Sequence, residues 1–66
     1  MVRYLDVSEV LEMIDKMQHN AAALALYAGV MGTKDPKKAE ILKKIEEKAR
    51  EIMNLLDELR ELVEKT

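Results

Sequence analysis

Apolar residues recur in alternating steps of three and four along the first part of the chain: Val7, Val10, Ile14, Met17, Ala21, Leu24, Ala28 and Met31. Leu42, Ile45, Ala49, Ile52, Leu56, Leu59 and Val63 repeat the same steps further on. Steps averaging 3.5 residues keep one stripe of an α-helix turned toward one partner. Both segments are therefore predicted to be helices with an unbroken seam.

The boundaries follow from local chemistry. Asp6 suits an N-cap, and Glu9 stands three residues on, as in a capping box with Asp in the Ser/Thr role. Leu5 and Val10 occupy the positions of a hydrophobic staple. Met1 to Tyr4 read as extended or frayed. The first helix is expected over residues 7–31, with Gly32 in the left-handed position that closes many helices. The turn spans residues 32–35. Asp35 before Pro36 restarts a helix, because Asp caps and Pro tolerates the first helical position. The residue before proline also resists helix, which argues against one continuous rod. The second helix is expected over residues 36–64. At about 1.5 Å per residue the helices span roughly 37 and 43 Å. So short a connection makes them antiparallel neighbours. Folding at the turn pairs Ala28 with Leu42, Leu24 with Ile45, Ala21 with Ala49, Ile14 with Leu56 and Val7 with Val63. The expected fold is all-α: one antiparallel two-helix hairpin over residues 1–66.

A hairpin has one seam, and this chain carries more apolar surface than one seam can cover. Ile41, Met53, Leu55 and Leu62 flank the second seam, and Leu11 and Met13 the first. The stretch "NAAALALYAGVMG", Asn20 to Gly32, holds no charge in a chain that is 36% charged. A helix apolar on all sides is a buried helix. Each large side chain left in water forgoes roughly 1.5–3 kcal/mol of burial. Ala22, Leu24, Ala25, Leu26, Tyr27, Gly29, Val30 and Met31 are therefore the expected contact surface for another protein. Leu24, Leu26, Tyr27, Val30 and Met31 would supply contact area, and the small Ala22, Ala25 and Gly29 would allow close approach. Gly29 costs a helix about 1 kcal/mol relative to Ala, which points to a steric need or a kink, the alternative being weak selection at an exposed position.

Length strengthens this reading. A chain of 66 residues lies near the limit of independent stability and needs a staple. With no Cys there is neither a disulfide nor a thiolate metal site. Association remains, most simply as a homodimeric four-helix bundle. Absence of Cys fits a reducing, cytoplasmic setting. The apolar run is shorter than the roughly 20 residues of a membrane span. It follows the acidic "LDVSEVLEMID" rather than the basic region of a signal peptide. No membrane partner is expected.

Charge is sorted by end. Asp6, Glu9, Glu12 and Asp15 fall at the open end with Asp57, Glu58, Glu61 and Glu64. Lys34, Lys37, Lys38, Lys43, Lys44 and Lys48 fall toward the turn. Antiparallel association of two hairpins would set unlike ends together. Ordinary i,i+4 pairs, such as Glu46–Arg50 and Glu61–Lys65, account for many of these residues. A net charge of −2 and two aromatic residues, Tyr4 and Tyr27, give no stacking platform for nucleic acid. A nucleic-acid-binding hairpin dimer, in the architecture of the RNA-binding regulators of plasmid copy number, is the weaker alternative. Candidate chemistry is sparse. His19 is the sole imidazole and sits in the polar island "QHN", opposite the seam. It would join a polar network at an interface, act as a base in a symmetric site, or simply face water. No Ser or Thr pairs with it at an interpretable spacing. The chain lacks Glu-x-x-His motifs and a Gly-rich phosphate loop. It is expected to be no enzyme and to use no cofactor or metal.

"YLDVSEVLEMID" resembles the opening of Fic/Doc-type toxins over about a dozen residues. The His-containing catalytic loop of that family has no counterpart here, so no activity carries over. "KKAEILKKIEEKAREI" is similar to the Lys/Glu- and Ile-rich helices of small proteins from hyperthermophilic archaea. Among these, length, composition and an open apolar surface resemble the small Thermococcales inhibitors of PCNA, the replication sliding clamp. That resemblance implies non-catalytic inhibition of DNA replication by disturbing the clamp's assembly. Clamp-binding boxes join Gln to an aliphatic residue and paired aromatics, and Gln18 has no aromatic at that spacing. Such a binder would act without the box. A purely structural four-helix bundle, natural or designed, is the other alternative. Gly29 counts against design.

Overall fold

The computed structural model describes residues 3–66; Met1 and Val2, expected to be extended or frayed, lie outside the described residues. Two helices, α1 (Val7–Val30) and α2 (Pro36–Glu64), pack along one another as an all-α hairpin. Its Cα extents are 53 × 23 × 16 Å, a rod about as thin as two helices allow.

Asp6 starts α1 as the sequence implies. Its backbone is extended, and its Oδ1 accepts the Glu9 N–H at 3.2 Å. The rest of the expected motif differs. Glu9 turns its carboxylate to the Arg3 guanidinium at 3.6 Å. Leu5 is 70% exposed, so no staple to Val10 closes. Residues 3–6 form no helix or strand, and among the described residues no third element lies there for Leu5 to pack against.

The turn also departs from expectation. α1 ends at Val30, one residue early, and Met31 leaves in an extended conformation (φ −78°, ψ 139°). Gly32 is not left-handed, since no glycine has positive φ. Polar side chains shape the turn instead. Thr33 Oγ1 accepts the Asp35 N–H at 3.1 Å, and Asp35 Oδ1 accepts the Lys37 N–H at 2.9 Å. Pro36 follows in the first turn of α2, where a missing N–H forfeits no helical bond.

The buried residues are Ile14, Ala21 and Ala28 of α1 with Ala49 and Leu56 of α2. They form one column per helix at seven-residue spacing, extended by the half-buried Val7, Leu42 and Val63. The second column of the expected seam is covered only in part, at the half-buried Val10 and Ile45. Met17, Leu24, Met31, Ile52 and Leu59 each keep 44–52% of their surface in solvent. Position i+3 lies about 60° round the helix from position i. In a lone pair of helices that angle carries it past the line of contact.

Asp35 caps the start of α2. Asp35→Ala should cost about 1 kcal/mol and Asp35→Asn much less, because Asn also caps. Thermal unfolding followed by far-UV circular dichroism measures both.

Candidate protein-interaction surface

Helical spacing sorts the remaining side chains onto two faces. Val10, Met13, Met17, Asn20, Leu24, Tyr27 and Met31 run down one side of α1 in steps of three and four. On α2, Ile41, Ile45, Lys48, Ile52, Leu55, Leu59 and Leu62 do the same. Both stripes lie on one side of the hairpin. Leu24 shares a hollow with Ile41, Ile45 and Ile52 that Lys44 and Lys48 also line, and Tyr27 and Met31 share another with Ile41 and Leu42. Of fourteen large apolar side chains that are exposed, ten stand on this front face; the others are Tyr4, Leu5, Leu26 and Val30. Scattered apolar residues are normal on a surface, whereas a contiguous stripe of them marks a contact site.

Two polar residues interrupt the front face, Asn20 and Lys48. They adjoin the buried Ala21 and Ala49 and so lie at nearly the same level. Lys48 Nζ lies 3.4 Å from Glu51 Oε2, which draws its charge toward the outer side of α2.

The back face is built differently. Gln18 Nε2 donates to Asp57 Oδ1 at 2.6 Å, and Arg60 Nη2 donates to Gln18 Oε1 at 2.7 Å and to Asp15 Oδ1 at 3.3 Å. These bonds tie the helices together near the open end. Closer to the turn, Arg50 Nη2 donates to Glu46 Oε1 at 3.0 Å. The i,i+4 pair expected between Glu46 and Arg50 is thus present. Glu61–Lys65 is not among the ion pairs of the described residues.

The uncharged run of α1 does not form one surface. Leu24, Tyr27 and Met31 face the front. Ala22 lies on the back, beside His19, Met53 and Asp57. Ala25 and Gly29 line a back groove with Glu46, Arg50 and Met53, and Leu26 and Val30 form its outer rim at 69% and 71% exposure. Gly29 leaves no gap that the hairpin itself needs. A Cβ there would lie 3.4 Å from Glu46 Oε2, the mobile end of a side chain.

The "QHN" island also divides. Gln18 reaches α2, Asn20 faces front, and exposed His19 places Nδ1 3.0 Å from its own helix's Asp15 carbonyl oxygen. Among the described residues no group of three or more His, Asp and Glu converges as a metal site, and no helix is long and apolar enough to cross a membrane.

Met13, Met17 and Asn20 of α1, and Ile41, Ile52, Leu55, Leu59 and Leu62 of α2, stand on the front face outside the contact surface expected of the uncharged run. Their signal was a second three-four stripe lying beside the first. Comparison with protein-family models, curated proteins and solved structures yields no match, so the functional reading rests on the chain's own residues.

Two substitutions probe this arrangement. Gln18→Ala removes both of the hydrogen bonds that Gln18 makes to α2 and should cost about 0.5–1.5 kcal/mol in urea unfolding. Gly29→Ala should stabilise by up to about 1 kcal/mol in the same assay, through helix propensity.

Proposed function

We propose that this protein acts by protein contact rather than catalysis. Two copies close their front faces on each other as a homodimeric four-helix bundle. The concentration of ten large apolar side chains on one face carries this reading.

Surface area supports it. The chain exposes 5741 Å². A compact monomer of 7.6 kDa exposes only about 4,300 Å². Hiding an excess of about 1,400 Å² on each of two chains would make an interface of about 2,800 Å², within the range of obligate homodimers. The composition of the face fits as well. Met and Tyr are enriched in interface cores and charged residues depleted, and Lys48 is the only charge in either stripe.

A regulatory role follows from the same face. A target protein with a complementary apolar surface would displace the second copy and take its place. The replication sliding clamp is one such target, entering through the resemblance in length and composition. Nucleic acid is disfavoured: the lysines near the turn are interleaved with Asp35, Glu40, Glu46 and Glu47.

Sedimentation equilibrium tests the proposal. The wild type should behave as a species of twice 7.6 kDa. Leu24→Glu, on the front, should be monomeric, and Leu26→Glu, facing away, should remain dimeric. A wild type that stays monomeric at every accessible concentration would overturn the reading.

A further inference from the structure

We infer that the two hairpins pair with their turns at opposite ends, with Asn20 of each copy meeting Asn20 of the other at the two-fold axis. This inference rests on the front-face dimer proposed above and adds its orientation and register. The occupant of the face is a second copy of this chain.

Two closures are available, since the axis of a face-to-face dimer runs either along the helices or across them. With the axis along the helices, the turns share one end and α1 faces the partner's α2. With the axis across them, the turns are opposed, α1 faces the partner's α1, and α2 faces the partner's α2. Either closure places apolar side chains against apolar side chains. The opposed arrangement does so because both stripes are nearly palindromic about one level. From Asn20 the neighbours lie three and four residues away (Met17, Leu24), then seven and seven (Met13, Tyr27). The seam pairs Ile14 with Leu56 and Ala21 with Ala49, so position 50 of α2 lies level with Asn20. About position 50, Leu55 and Ile45 stand five residues either way, and Leu59 and Ile41 nine. Apolar side chains therefore meet on both sides of the axis, except that Lys48 and Ile52, two residues either way of position 50, set each Lys48 against the partner's Ile52, and Leu62 meets Lys38.

Charge separates the two closures. Between residues 21 and 49, six lysines stand against Asp35, Glu40, Glu46 and Glu47, leaving +2. At the open end, residues 1–20 and 52–66, eight carboxylates stand against Arg3, Lys16, Arg60 and Lys65, leaving −4. Arg50 and Glu51 cancel between them. Opposed turns set each −4 end beside a +2 end, whereas turns at one end set −4 beside −4. Like charges across an interface select against that pairing.

Asn20 fits the axis for its own reason. A primary amide carries both donor and acceptor groups, so two of them satisfy each other across a two-fold. A single polar Asn in an otherwise apolar stripe fixes register at some expense in stability. With the turns at one end Asn20 would instead lie between the partner's Lys48 and Ile52, two residues either side of its level, and the Lys48 ammonium is already beside Glu51.

The two orientations predict opposite signs for one substitution. Asn20 is exposed in the hairpin, so Asn20→Asp leaves the monomer fold intact. With opposed turns it sets two carboxylates together and should raise the dimer dissociation constant on the order of tenfold or more. With turns at one end it sets Asp against Lys and should lower that constant. Asn54→Asp, which adds the same charge at an exposed position away from the front face, is the control. Tightening by Asn20→Asp, or an effect equal to the control's, overturns the inference. A distance measurement checks the orientation separately, and the lack of native Cys makes a single site clean. Spin labels on Lys34→Cys should be about 40 Å apart if the turns are opposed, since the neighbouring Pro36 stands fourteen residues along α2 from the level of the axis, at 1.5 Å each. A separation under about 25 Å, two helix spacings plus the labels, places the turns together and overturns the orientation while leaving the front-face dimer standing. A wild-type monomer by sedimentation sinks both.

Discussion

Two cylinders touch along a line. That constraint governs this molecule, because a pair of straight helices can enclose only the column of side chains that points directly at the neighbour. Here the column is Ile14, Ala21 and Ala28 on α1, with Ala49 and Leu56 on α2. Three of the five are alanines, which let the backbones approach but remove little area from water. Burial scales with apolar area, so so narrow a core contributes little by itself. The next column round each helix, with Met17, Leu24, Ile52 and Leu59, is apolar yet half in solvent. The hairpin resembles half of a core awaiting its other half.

The two flanks of the contact line are chemically unlike, and the difference gives the molecule a direction. One flank is closed by Gln18, Asp15, Asp57 and Arg60, whose bonds run from helix to helix. Covering that side would strip water from an ion pair and several carboxylates, a penalty that close apolar packing seldom offsets. The other flank offers aliphatic, Met and Tyr side chains with two polar interruptions at one level. Hydrogen bonding at the back ties the helices together, and the front is left as a surface carried on two helices. A backbone already helical loses less conformational entropy on association.

In the proposed bundle, folding and association are linked. A second copy binding the folded hairpin and not the unfolded chain stabilises the fold by mass action. A target that takes the place of that copy would draw on the same apolar area. Control by partner exchange needs no catalytic group, and His19, hydrogen-bonded within its own helix turn, supplies none to the front face.

Much of the fold was legible in the residues alone. Asp6 and Asp35–Pro36 announced both helix starts, because caps and prolines act through neighbouring backbone groups. The seven-residue column was legible because helical periodicity is local. The end of α1 was less so: Gly32 permits a left-handed turn, but Thr33 and Asp35 made a turn that does not use it. The uncharged run from Asn20 to Gly32 signals surplus apolar surface, which the hairpin divides between front and back. Composition counts residues without regard to direction, and in the hairpin Leu26 and Val30 rim the back groove while Leu24 and Tyr27 line the front hollows. By itself the sequence determined two capped helices, their antiparallel pairing and more apolar surface than one seam can hide. Only the tertiary structure decided which part of that surface is continuous, because a face is made by two helices at once, and its position depends on the angle at which each meets the other.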